Sequence, residues 1–269
     1  GHVRFQLFRL ILNETRDLFS SSDSRETWLR RVFSEPFVFQ HKKLYHYVPV
    51  GFELSDQTEY QMGKVARERT VRDHLPPSED LEPFERASWD VAHIVIDPQH
   101  HDDGQKFGFE ISSLGDPLAL LRSMTAHINT LPHAPFHIAG NPISKIQSFV
   151  DFLERHPENI SFIQFDLNAP NMFGDRTNVD AEMKVARDKY RAKRARVVLA
   201  NDEGMSLDHQ RIREMAEYAT TGGGEIKAKT LDKASFHSRE GVQEVYIPTD
   251  GDIDKRELLW LLINALFRK

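Results

Sequence analysis

The 269-residue chain contains no cysteine. That excludes a disulfide framework, a thiolate metal site and a cysteine nucleophile, and it fits a reducing compartment. No run reaches the roughly 18 consecutive apolar residues that a membrane span requires. The apolar opening FQLFRLIL is broken by Arg9 and followed by charged residues, so neither a signal peptide nor an anchor is expected. A basic excess is missing as well: 35 Lys and Arg stand against 41 Asp and Glu, a net charge of -6, which argues against a uniformly basic nucleic-acid coat. What remains is the composition of a folded, cytoplasmic protein, with 39% hydrophobic residues and 18 Phe that exclude disorder over most of the length.

The charge is unevenly spread. Residues 51–120 hold six basic and fifteen acidic residues, a local charge of -9, whereas residues 184–200 hold seven basic residues and one acid, a local charge of +6. The first window contains the most polar stretch, Asp56 to Asp90, which reads as a connector with one short helix around Pro76 and Pro77. The expected division is therefore an N-terminal strand and helix region with this acidic connector, 1–88, and a main domain, 89–269.

Local patterns supply the elements. RFQLFRLIL reads as a strand and DSRETWLRRVF as a helix capped by Asp23 or Ser24. VAHIVID and KFGFEI read as a hairpin around PQHHDDGQ, and Asp116-Pro117 opens a helix through LALLRSMTAHINTL. PFHIAG, ISFIQFDLNAP, RVVLAN, EIKAKTL and VQEVYIP follow as strands, separated by helices at SKIQSFVDFLERH, at 178–195 and at LDHQRIREMAEYA, the last capped by Ser206. Hairpins and helices alternate about equally, so the expected class is α+β with mixed sheets. The closing DKRELLWLLINALF is a helix apolar over most of its circumference, suited to a core or to a homodimer interface.

Two constellations carry chemistry. Lys184, Arg187, Lys189, Arg191, Lys193, Arg194 and Arg196 fall on one helix and the strand entry after it; at 3.6 residues per turn Lys184, Arg187, Arg191 and Arg194 share a side and could track phosphates of DNA or RNA. His93, Asp97, His100, His101, Asp102, Asp103 and Glu110 could ligate a divalent metal and form a nuclease site, the alternative to a cofactor-free binding protein. The same residue types also make an ordinary solvated turn, and Glu110 lacks the lysine two residues on that a restriction-type core would use. Gly222 to Gly224 follow a helix instead of preceding one, so they read as a cap and turn and not as a phosphate loop. Ser235 and His237 lack a nucleophile elbow and a third partner. No catalytic signature is present, and binding is expected in preference to catalysis.

Three phrases, HLPPSEDLEPFERASWDVAHIVIDPQHHDDGQKFGFE, FIQFDLNAPNMFG and EYATTGGGEIKAK, span residues 74–229 discontinuously. In them the chain resembles a family of bacterial proteins found among genes of mobile elements and phage defence. The layout is also similar to that of the phage exclusion protein RexA and the DNA-binding subunit of the Kiwa defence system. The resemblance implies an antiviral or accessory protein that binds nucleic acid or a partner protein of a larger defence complex, and it transfers no active-site residue.

Overall fold

A computed structural model of the chain describes residues 1–15, 19, 21–55, 58–99, 104–169 and 178–248, with 257, 260, 261, 263 and 264. Seven strands come first: β1 (His2–Glu14), β2 (Phe37–His41), β3 (Lys43–Ser55), β4 (Thr58–His74), β5 (Pro83–Asp97), β6 (Gln105–Glu110) and β7 (Phe136–Pro142). Helices α1 (Arg25–Val32) and α2 (Pro117–Ile128) are inserted among them. Then α3 (Ile146–Arg155), β8 (Ile160–Asn168), α4 (Asn178–Tyr190), β9 (Arg194–Met205), α5 (Gln210–Tyr218), β10 (Gly224–Thr230) and β11 (Ser235–His237) build a second layer before β12 (Glu244–Pro248) returns to the first. The larger sheet has eight strands in the order β12-β1-β6-β5-β4-β3-β2, with β7 also on β1; the smaller has four, in the order β11-β10-β8-β9.

The pattern of β1 explains the larger sheet. It carries β6 along one edge, while β12 against residues 2–6 and β7 against residues 8–14 share the other edge end to end. Successive side chains alternate faces. Phe8, Leu10 and Leu12 enter a core with Ile94, Ile96, Phe107 and Phe109 under α1 and α2, and Phe5 and Leu7 enter a second core with Met62, Val95 and Ile247 on the opposite face. The helices begin where capping chemistry dictates: Ser24 Oγ accepts from Thr27 N at 3.1 Å, and Asp116 Oδ2 accepts from Ala119 N at 3.0 Å with Pro117 in the first turn. The smaller sheet has its own core, in which Ile163, Phe165, Leu167, Ile226 and Ala228 pack under Phe149 and Phe152 of α3 and Ile212 and Met215 of α5. Each such fully buried side chain contributes roughly 1.5–3 kcal/mol.

The α+β class holds, and both sheets are antiparallel throughout the described pairings instead of mixed. The expected acidic connector is the β4–β5 hairpin. Residue 88, the expected boundary, lies inside β5 opposite Arg69, and beyond Ala66 the two strands form a two-stranded arm held by Arg67–Asp90 (3.2 Å), Arg69–Asp90 (2.8 Å) and Arg72–Glu85 (3.2 Å). Solvent bathes both faces of this arm, so its sequence has no hydrophobic alternation from which to read a strand. Of the apolar C-terminal stretch, Glu257, Trp260, Leu261, Ile263 and Asn264 are described as helical; Ile263 fills the second core while Trp260 is half exposed. Among the described residues no helix is long and apolar enough to cross a membrane.

Candidate nucleic-acid interface

One face of the smaller sheet is packed under helices; the other, among the described residues, is exposed along β9 and at Lys227 and Lys229 of β10 and part-exposed between them. Cross-strand partners share a face, so the register lays out the open face row by row. Arg194 stands beside Asn168; Arg196 beside Asp166 and Glu225; Val198 beside Gln164, Lys227 and His237; Ala200 beside Phe162, Lys229 and Ser235. The two acids on this face are already occupied. Arg196 Nε donates to Asp166 Oδ1 at 2.6 Å, and Arg122 of α2 reaches Glu225 at 2.8 Å. Arg194, Lys227 and Lys229 have no ion-pair partner among the described residues, and all three are exposed, which leaves a net cationic surface in an acidic protein.

At one end the open face runs into a cleft of about 520 Å³ between the two sheets, where α2 and β7 lean over it. Its walls are Arg122, Thr125 and Asn129 on one side and Asp166, Asn168, Lys193, Arg194 and Glu225 on the other, with His137 and Asn141 of β7 between them. The cleft is built from fixed groups. Asn129 clamps the outer edge of β7 at Ile138 by two hydrogen bonds (2.7 and 2.9 Å), and Asn141 Nδ2 donates to Asn168 Oδ1 at 2.8 Å across the gap. Desolvation pushes the Asp166 carboxyl up, but hydrogen bonds from Arg196 and Gln164 together with the charges of Arg196 and Arg194 outweigh it and hold it below its ordinary value. It is a carboxylate at neutral pH.

His137 and His237 are both held below their ordinary value of 6.5, each first by burial; Lys193 adds to the effect at His137. The unfolded chain then binds protons that the folded chain refuses, so these two residues withdraw stability as pH falls below about 6.5. The midpoint of thermal unfolding is expected to drop between pH 7.5 and 5.5, and the double replacement His137→Gln with His237→Gln should flatten that slope in a differential scanning measurement.

The seven basic residues found in the sequence are brought together only in part. The helix stops at Tyr190, because Arg191 adopts a left-handed φ of 59° and Ala192 N donates back to Ala186 O at 2.9 Å. The expected stripe through Lys184, Arg187, Arg191 and Arg194 therefore does not form as one helical side. Arg187 turns inward, its Nε 2.7 Å from Asp188 Oδ1 and its side chain 14% exposed. Lys189, Arg191, Lys193, Arg194 and Arg196 are exposed and follow the turn onto the strand, so they flank and enter the open face. Lys227 and Lys229 were not singled out by charge runs, since Glu225 dilutes them. The signal was there in another form: K-A-K on a strand puts both lysines on one face.

The metal set does not assemble among the described residues. His93 Nδ1 and Glu110 Oε2 are 2.8 Å apart, and the same oxygen accepts from His93 N at 2.7 Å. Asp97 shares that sheet face but stands four residues further along, about 13 Å away by strand rise, buried and accepting from Gln99 N at 3.1 Å. His100, His101, Asp102 and Asp103 lie outside the described residues, and no group of three His, Asp or Glu able to hold a metal occurs among the rest. Ser235 and His237 fall on opposite ends of the short β11; His237 Nε2 lies 3.4 Å from Glu225 Oε1, but no hydrogen bond joins His237 to Ser235, so no triad forms among the described residues.

No family model matches this chain, and neither a curated protein nor a solved structure is significantly similar to it. The site rests on its own geometry.

Proposed function

We propose that this protein is a nucleic-acid-binding component of a bacterial antiviral or mobile-element system, and that phosphates lie across the open face of the smaller sheet. The observation that carries the reading is the convergence of Arg194, Lys227 and Lys229, three exposed cations without ion pairs, from two strands onto one uncovered face continuous with Lys193 and the cleft. Cations so placed gain free energy by releasing counterions from a polyanion. An open sheet face suits a single strand better than a duplex groove, since Phe162 offers a part-exposed ring on which an unpaired base can stack. The setting in defence is supported by the resemblance of residues 74–229 alone.

Fluorescence anisotropy with a labelled single-stranded oligonucleotide tests the reading. Four phosphate contacts, at Lys193, Arg194, Lys227 and Lys229, give an expected slope of about -3 for log affinity against log salt. Affinity indifferent to salt, or no binding at low ionic strength, would refute it.

A further inference from the structure

The outer strand of the smaller sheet has an unusual edge. β9 pairs with β8 on one side and, among the described residues, has no strand on the other. Ala169 N donates to Lys193 O at 2.9 Å, so by alternation residues 195, 197 and 199 exchange hydrogen bonds with β8, while Arg194, Arg196, Val198 and Ala200 direct their N–H and C=O groups to the open edge. None of these four has a backbone partner there among the described residues. Open edges are usually blunted by brevity, by proline or by an inward charge. This strand is 12 residues long, contains no proline, and leaves Val198 46% and Leu199 38% exposed at its middle.

Its charges are instead sorted by end. Lys193, Arg194 and Arg196 open the strand; Asp202 and Glu203 close it, in a bulge that Asn201 fixes by accepting from Glu203 N and donating to Gly204 O, both at 3.0 Å. A strand that is basic at one end, apolar in the middle and acidic at the other complements itself when antiparallel and repels itself when parallel.

We propose that a second copy of this chain pairs with β9 edge to edge, antiparallel, about a two-fold axis at Val198. That register sets Val198 against the partner's Val198, Arg196 against the partner's Ala200, Arg194 against the partner's Asp202 and Lys193 against the partner's Glu203. The outward backbone groups of both edges are then satisfied. A two-fold axis perpendicular to the sheet keeps like faces together, so two four-stranded sheets become one of eight strands with a continuous open face. The seam follows from the edge and its charges and does not require that the face bind nucleic acid.

Light scattering on nucleic-acid-free protein is expected to give twice the chain mass of 31.1 kDa. Val198→Lys, at an exposed position, should give a monomer with an unchanged circular dichroism spectrum. Arg194→Glu should weaken the dimer, and adding Asp202→Lys to the same chain should restore it, which a folding defect would not do. Because the chain has no cysteine, single thiols report the register without background. An antiparallel hydrogen-bonded pair has a Cα separation of about 5.5 Å, within disulfide reach. Val198→Cys should therefore oxidise to a covalent dimer, whereas Ser235→Cys on the opposite edge should not. A monomeric wild type, a dimer that survives Val198→Lys, or a dimer in which Val198→Cys stays unlinked would overturn the proposal.

Discussion

Replacing Arg194, Lys227 and Lys229 together with Glu is expected to lower affinity for a single-stranded oligonucleotide by about 100-fold at low salt and to bring the salt slope from about -3 to about -0.7, with Lys193 the one contact left. Each of the three positions is exposed and has no ion-pair partner within its own chain among the described residues, so reversal removes a phosphate contact and adds repulsion; Lys227→Glu with Lys229→Glu alone leaves the β9 edge untouched and should give most of the loss. Arg196 is the informative contrast. Its guanidinium is held at 2.6 Å by Asp166, so Arg196→Ala should cost less affinity than Lys227→Ala, although the two stand in neighbouring rows of one face. The same comparison separates the sheet face from the helix before it. Arg187, committed to Asp188, should be nearly silent on replacement by Ala. If Arg187→Ala weakens binding as much as Lys227→Ala does, the interface lies on α4 and not on the sheet.

How much of this could be read from residues alone differs from element to element, for physical reasons. Strands that bury one face, such as β8 and β10, announce themselves by alternation, β1, buried on both faces, by its continuous apolar run, and α1 and α2 by caps that offer a side-chain oxygen to a free N–H. The β4–β5 arm, solvated on both sides, offers no such period, so its polar sequence resembles a connector although its backbone is paired from Gln61 to His74. The end of α4 was hidden because a left-handed residue closes it, and that residue is Arg191 instead of the usual glycine. The positive window at 184–200 was legible as charge, but which of its members face solvent depends on Asp188 and Asp166, and Asp166 arrives from another strand. Lys227 and Lys229 show the same limit more sharply. Alternation puts them on one face, yet only the register of β10 with β8, and of β8 with β9, says that Arg194 and Arg196 share it.

Gly222→Val is expected to destabilise the fold by about 3 kcal/mol, the sum of roughly 1–2 for a β-branched residue held left-handed and 1–3 for overpacking. Gly222 has a φ of 95°, and a Cβ there would lie 2.3 Å from Arg9 Cβ and 2.8 Å from Arg9 Cδ. The Arg9 side chain cannot swing away, because it is 5% exposed between β6, β7 and this turn. The turn is also where the smaller sheet meets the larger. Next to it Thr220 O accepts from Ser144 N at 2.8 Å, and the Tyr218 hydroxyl donates to Asn168 O beside the cleft. Forcing Gly222 outward would therefore disturb the wall that carries Asn168 as well as the core. For a chain of this size the expected fall in melting temperature is about 10 °C, with oligonucleotide affinity reduced even where the protein remains folded. Gly241→Ala is the matched control, since no atom lies within 4 Å of the added carbon and φ is not left-handed. Equal effects of the two substitutions would mean that the contact between Gly222 and Arg9 does not hold the sheets in register.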